Sequence, residues 1–178
     1  MTVALVPVEE GDLVAFKRQM QEAFRLGAPD GVGEHGEVLP EEDVDESLAA
    51  AGAVALAAVV DDDVVGGAVV IIDPADGHGR LDLLYVRHGV QSRGLGQAIW
   101  QTIEARYPSV EVWETITPYA DERNVHFYVN RCGFHVVEFF HQGHPDPNTP
   151  PSRPGLPQPP ARMLRLEKKR MASRLCPQ

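Results

Sequence analysis

Cysteine is nearly absent from the 178 residues: Cys132 and Cys176 are the two in the chain. Two thiols 44 positions apart build no disulfide framework of the kind that staples small secreted domains. Cys132 stands inside an apolar pattern and reads as a small core residue rather than a nucleophile. Long hydrophobic runs are also missing. The longest, Leu48 to Val60, is too short for a bilayer and is broken by Gly52. The start, Met1 to Ala4, has no basic segment leading into an apolar stretch, so no signal peptide is expected and the cytoplasm is the expected compartment. Positive charge is in deficit too. A formal net charge of −10 argues against general binding of DNA or RNA, which needs concentrated Lys and Arg, and favours a cationic small-molecule partner. The basic residues that do occur crowd the end of the chain: Arg162, Arg165, Lys168, Lys169, Arg170 and Arg174, opposed by Glu167. They read as a solvated strand end followed by a frayed tail over 167–178.

What is present fits one domain over 1–178. Val3 to Val8 is β-like. From Gly11 to Leu26, Leu13, Phe16, Met20 and Phe24 recur at helical spacing, and Gly27 ends that helix. Ala28 to Leu39 is a loop. Pro40 and Glu41-Glu42-Asp43 open a second helix to about Ala51, since proline and acidic side chains suit a first helical turn. Ala53–Val60 and Val64–Ile72 form a hairpin through Asp61-Asp62-Asp63, and Arg80–Val86 is the next strand. A helix starts near Gly94 with Leu95, Ile99 and Ile103 on one face. Val110–Ile116 alternates, with Val112, Glu114 and Ile116 taken as the covered face. Asp121 caps a short helix that stops at Gly133, where glycine suits a left-handed terminus. Phe134–Phe140 and Ala161–Leu166 are strands, separated by a proline-rich segment, 144–160, without regular structure. That segment reads as a substrate lid or a swapped dimer arm. The pattern predicts an α+β fold, a mixed and mostly antiparallel sheet with helices on both faces.

The chemistry concentrates where the strand Leu83-Leu84-Tyr85-Val86 runs into Arg87 to Arg93 and then a helix opened by Gly94-Leu95-Gly96. Helix N-termini expose unpaired amides and a partial positive charge, which suit a pyrophosphate. Glycine lets the backbone approach phosphate oxygens, and Arg93 adds a charge. The turn lacks the third glycine and acidic partner of a dinucleotide fingerprint and the Lys-Ser/Thr ending of a P-loop. Two histidines, His141 and His144, have no further ligand at metal spacing, so no metal is expected.

Gln91-Ser92-Arg93-Gly94-Leu95-Gly96 resembles the Gln/Arg-x-x-Gly-x-Gly/Ala signature of the GNAT (Gcn5-related N-acetyltransferase) superfamily, with Val86 five residues ahead of it. Asn124-Val125-His126-Phe127-Tyr128 and Cys132-Gly133-Phe134 are similar to that family's second motif, and the resemblance spans Val3 to Phe140. It implies acetyl-CoA as co-substrate. The pantetheine arm would pair with the strand at Leu84, Tyr85 and Val86, which splays from the strand at Val110–Ile116. The pyrophosphate would lie on Gln91, Ser92, Arg93, Gly94, Leu95, Gly96 and Gln97, with Asn124 and Phe127 on the helix face turned to the coenzyme. Tyr128 is the candidate acid for the departing thiolate, against the plainer reading of an aromatic anchor beside Phe127. Many family members carry Glu where this chain has Arg80, so the base is sought in Asp82, read as sharing a face with Leu84 and Val86, or in Glu114. Either carboxylate has the alternative of pairing with Arg80 or Arg87. The expected activity is transfer of an acetyl group to a primary amine of a small molecule by direct attack in a ternary complex. The other readings are a protein or peptide N-acetyltransferase and a non-catalytic acyl-CoA sensor. A homodimer is the expected assembly, with no membrane or nucleic-acid partner.

Overall fold

A computed structural model describes residues 2–28, 30, 37–90, 94–148 and 162–171. Its elements follow the predicted order: β1 (Ala4–Pro7), α1 (Leu13–Gly27, after a 3-10 turn Glu10–Asp12), α2 (Glu41–Ala49), β2 (Ala53–Val60), β3 (Asp63–Asp73), β4 (His78–Val86), α3 (Leu95–Arg106), β5 (Val112–Pro118), α4 (Glu122–His126), β6 (His135–Phe140) and β7 (Met163–Lys169). The α4 backbone continues as a π-helix over Phe127–Cys132 and ends at Gly133 with φ +82°, the left-handed terminus read from the sequence. The β2–β3 turn is tighter than the three aspartates suggested. Asp61 and Asp62 take positive φ, as a two-residue hairpin turn requires, and Asp63 already belongs to β3.

Seven strands form one sheet in the order β1-β2-β3-β4-β5-β7-β6. Every neighbouring pair is antiparallel except β4 with β5. The strand last in sequence therefore inserts between β5 and β6. Helices α1 and α2 cover one face, where Phe16, Met20, Val44, Val69 and Tyr85 are buried together. Helices α3 and α4 cover the other, over a larger core containing Leu81, Ile99, Trp100, Ile103, Trp113 and Phe134. Trp100 is its centre, wholly buried, with ring centroids 5.3 Å from Trp113 and 5.0 Å from Phe134. Cys132 is buried in this core, and burial pushes its thiol up to about 12, which makes it a packing residue.

Arg162 and Lys169 are exposed, as a solvated strand end would be, but two of the basic residues near them are ties. Lys168 Nζ lies 2.7 Å from Glu104 and 5.4 Å from the Trp100 ring, while Arg170 donates to the carbonyls of Pro108 and Glu104. Residues 172–178, most of the loop before Leu39, and 149–161 of the proline-rich segment lie outside the described residues, and with them the expected lid or arm. Among the described residues no helix is long and apolar enough to cross a membrane.

Candidate active site

The site begins where a ladder stops. Strands β4 and β5 pair at three positions only, His78 with Val112, Gly79 with Trp113 and Arg80 with Glu114. On its other side β4 stays paired with β3 as far as Val86. Beyond Arg80 the two parallel strands part, and the β5-facing backbone edge of Leu83 to Val86 has no strand partner. An extended chain of alternating donors and acceptors fits such an edge, as in strand addition.

At the closed end of this fork, side chains replace the missing backbone bonds. Thr115, 1% exposed, donates through Oγ1 to the Leu81 carbonyl across the gap at 2.9 Å. The Tyr128 ring is fixed edge-on by Phe127 at 5.2 Å and Phe134 at 5.8 Å. Burial pushes this phenol above its ordinary range, against a smaller opposing influence of the neighbouring Thr115 hydroxyl, so the phenol keeps its proton throughout the neutral range. Two residues along β5, Thr117 is 1% exposed and its hydroxyl has no protein partner.

The turn after β4 carries the second half of the site. Gln91, Ser92 and Arg93 lie outside the described residues. Gly94 caps α3 with φ +91°, a conformation costly to any residue with a side chain, and nothing lies within 4 Å of where its Cβ would be. Gly94 has no side chain with which to cap the first turn of α3, and exposed amides of a helix N-terminus suit an anion. Gly96 has a different reason: a Cβ there would sit 3.2 Å from the Phe127 ring. This glycine, and Phe127 itself, serve the contact between α3 and the π-helix. Leu95 is buried in the core, and Gln97 donates to the Arg131 carbonyl at 2.8 Å, so both side chains belong to packing. Tyr85 likewise turns to α1, against Phe16, with its hydroxyl 3.3 Å from Gln19. Leu84 and Val86 pack against the α3 core. Asn124 is half-buried, and its backbone amide is capped by Asp121 at 3.0 Å.

The two candidate bases are not where alternation put them. Val69 pairs with Leu83 and Val70 with Leu81, so Asp82 is the extra residue of a β-bulge. The bulge reverses the alternation, and Asp82 lies on the α2 face, opposite Leu84 and Val86. There it accepts from Ser47 Oγ and pairs with Arg80 Nη2 at 2.6 Å. On β5 the fully buried face is Trp113, Thr115 and Thr117, not the Val112, Glu114 and Ile116 face expected. Glu114 is half-buried on the α1–α2 side and pairs with neither Arg80 nor Arg87. Its partner is Arg165 at 3.1 Å, which also holds Glu138 at 2.9 Å and Glu167 at 2.6 Å. His144 adds a bond to Glu138 at 2.8 Å, and together with Arg165 it holds that carboxyl below its ordinary range. A cavity of about 270 Å³ opens beside the closed end of the fork, lined by Ile71, Asp73, Asp76, His78, Gly79, Arg80 and Glu114.

Thr115, Thr117 and Arg165 were not singled out from the sequence. The two threonines carried a readable signal, hydroxyls at alternate positions beside Trp113 on a strand. Arg165 carried none, because its partners are brought together only by the sheet order.

Comparison with known proteins agrees with this architecture. The family model described as "Acetyltransferase (GNAT) family" matches residues 18–134. YrkN of Bacillus subtilis (strain 168), described as uncharacterized, is 44% identical over 148 residues, 82% of this chain and 80% of its own length. A GNAT family acetyltransferase from Elizabethkingia anophelis with acetyl-CoA bound superposes with a TM-score of 0.65 at 13% identity, covering 94% of this chain and 98% of that one. The ribosomal-protein-S18-alanine N-acetyltransferase of Escherichia coli gives a TM-score of 0.67 at 13% identity, covering 98% and 99%. With a family match over most of its length, and a fold whose one parallel strand pair opens beside a buried tyrosine, the chain belongs to the GNAT family of acetyltransferases.

Proposed function

We propose that the protein moves an acetyl group from acetyl-CoA to a primary amine of a small cationic molecule, by direct attack within a ternary complex. The observation that carries this reading is the fork itself: an unpaired strand edge on β4 whose Leu84 and Val86 pack against the same core as the buried Tyr128. In this reading the pantetheine arm lies along Leu84 to Val86 and the pyrophosphate on the first turn of α3. The thioester sits at the closed end. The amine attacks the thioester carbonyl, the carbon–sulfur bond breaks, and Tyr128 supplies a hydrogen bond and then a proton to the departing thiolate. Glu114 lines the cavity that opens on the same end and is our candidate for receiving the amine's proton. Asp82, held by Ser47 and Arg80, is the candidate that fixes the bulge.

Two features favour a small acceptor with positive charge. The cavity is of small-molecule size, and three carboxylates, Asp73, Asp76 and Glu114, stand in its wall against Arg80. Calorimetric titration with acetyl-CoA, followed by thiol release over a panel of diamines, amino acids and peptides, tests the proposal. Saturable binding with release driven by small amines is expected. Absence of acetyl-CoA binding overturns the whole reading, and release driven by peptides alone overturns the acceptor class.

Replacement of Gly94 by alanine separates phosphate binding from folding. The Cβ meets no atom, so the stability loss stays at about 1–2 kcal/mol, the strain of a left-handed L-residue. The methyl group holds phosphate oxygens off the α3 amides, and acetyl-CoA affinity is expected to fall by about tenfold, the value of one lost charge-assisted hydrogen bond. Parallel melting and calorimetry read the two effects.

A further inference from the structure

The carboxylates near the fork differ in how many of their oxygens are already engaged. Asp82 has both in use, one on Ser47 Oγ and one on Arg80 Nη2. Glu138 does too, with Oε1 on His144 and Oε2 on Arg165. Glu114 has only Oε2 engaged, by Arg165 Nη1 at 3.1 Å, and among the described residues its Oε1 has no hydrogen-bond partner. Of these three carboxylates it is also the one that lines the cavity beside the closed end. Its backbone sits opposite Arg80 at the last β4–β5 pair. Arg165 reaches it from β7, which runs between β5 and β6 and so meets carboxylates from both sides. Glu167, at 2.6 Å, is the third on the same guanidinium.

We propose that Arg165 is the positioning residue for Glu114, anchoring Oε2 so that Oε1 is presented to the acceptor amine in the cavity. The inference rests on the reading of Glu114 as the group that receives the amine's proton. As the amine nitrogen bonds to the thioester carbonyl carbon, an N–H bond breaks and an O–H bond forms at Oε1. The carbon–sulfur electron pair leaves with the thiolate, which Tyr128 protonates. Arg165 gives up no proton and makes no bond to substrate. It fixes the carboxylate, removing rotations that would otherwise have to be frozen when the amine arrives. Arginine suits the task because its donors lie in one plane: Nε holds Glu138, while Nη1 holds Glu114 and Glu167. Glu138 is itself tied to His144, so the guanidinium is braced from the side away from β5.

The test uses the full chain, acetyl-CoA and whichever small amine of the panel releases thiol fastest. Glu114→Gln is expected to lower kcat/KM for that amine by about a hundredfold, the lower range for a positioned base. Arg165→Gln is expected to lower it by about tenfold, the size of one charge-assisted hydrogen bond, with calorimetric affinity for acetyl-CoA kept within about twofold. Arg165→Lys keeps the charge without the planar fork and is expected to recover about threefold of that loss. In the double variant Arg165→Gln adds nothing to Glu114→Gln, because its effect runs through that carboxylate. Glu138→Gln alters the same cluster outside the cavity wall and leaves kcat/KM within about twofold. Arg165→Gln strips three carboxylates of their shared cation, so melting curves accompany it. Where it does not fold, Arg165→Lys and the pair Arg165→Gln with Glu138→Gln carry the same comparison. If Glu114→Gln slows transfer and Arg165→Gln does not, the role given to Arg165 is wrong while the base stands. The same holds if the two losses multiply, or if Glu138→Gln costs as much as Arg165→Gln. If Glu114→Gln leaves transfer unchanged, or no amine drives release, the reading beneath fails with it.

Discussion

Tyr128→Phe lowers the rate of acetyl transfer by about a hundredfold, the lower range for loss of a positioned acid, and leaves the KM for acetyl-CoA within about twofold. The asymmetry follows from where the ring sits. Phenylalanine keeps the edge-on contacts with Phe127 and Phe134, so the cleft wall is unchanged and the coenzyme is still held along β4. What disappears is one donor at the fork, an interaction made only as the thiolate leaves. Steady-state thiol release at varied acetyl-CoA and saturating amine resolves kcat from KM. An unchanged kcat removes Tyr128 from the chemistry, and a rise in KM alone makes it a binding residue. The same burial has a consequence for pH. Because the phenol is held protonated well beyond its ordinary value of about 10, the parent enzyme shows no loss of rate between roughly pH 8 and 10 that Tyr128→Phe abolishes.

Trp100→Ala costs about 3–5 kcal/mol of folding stability, the range for removing a large aromatic side chain from a core. Nothing near Trp100 collapses easily to fill the space. Trp113 stands edge-on to it and is itself pinned by Tyr107 at 6.1 Å. Phe134 is held by the chain reversal at Gly133, and Lys168 covers the ring from β7. For a domain of this size the loss corresponds to a fall in melting temperature of roughly 10 °C or more. Trp100→Phe is the informative companion. It keeps most of the volume and removes an indole N–H that is buried without a partner, so its cost is expected to be less than about half as large. Equal losses for the two variants mean that the indole edge, and not its volume, is what the core uses.

Element order was legible because the pattern changes sharply along the chain: Leu13, Phe16, Met20 and Phe24 recur as a helix does, while Ala53 to Val60 and Val64 to Ile72 are β-like apolar runs about three aspartates. The glycines at 94 and 133 marked helix ends because both require a left-handed backbone, and both adopt it. Asp82 was misplaced for an equally physical reason. A single extra residue inverts every later side chain on its strand, and no local composition announces it. For Glu114 the illegible part was its partner. Its partner stands 51 residues away on β7, and their meeting depends on that strand entering beside β5. The Phe127 ring against Gly96 is a tertiary fact that spacing does not carry.

The place of β7 in the sheet also sets the order in which the molecule is finished. β5 and β6 are each bonded to β7 and never to one another, so while the chain is being synthesised they emerge as two open edges waiting for a strand not yet made. The half containing β1 to β4 and α1 to α3 closes on local and hairpin contacts first. The three glutamates around Arg165 come together only when residues Met163–Lys169 arrive. Until that strand is in place the sheet keeps two unpaired edges, and the three glutamates lack the cation they share.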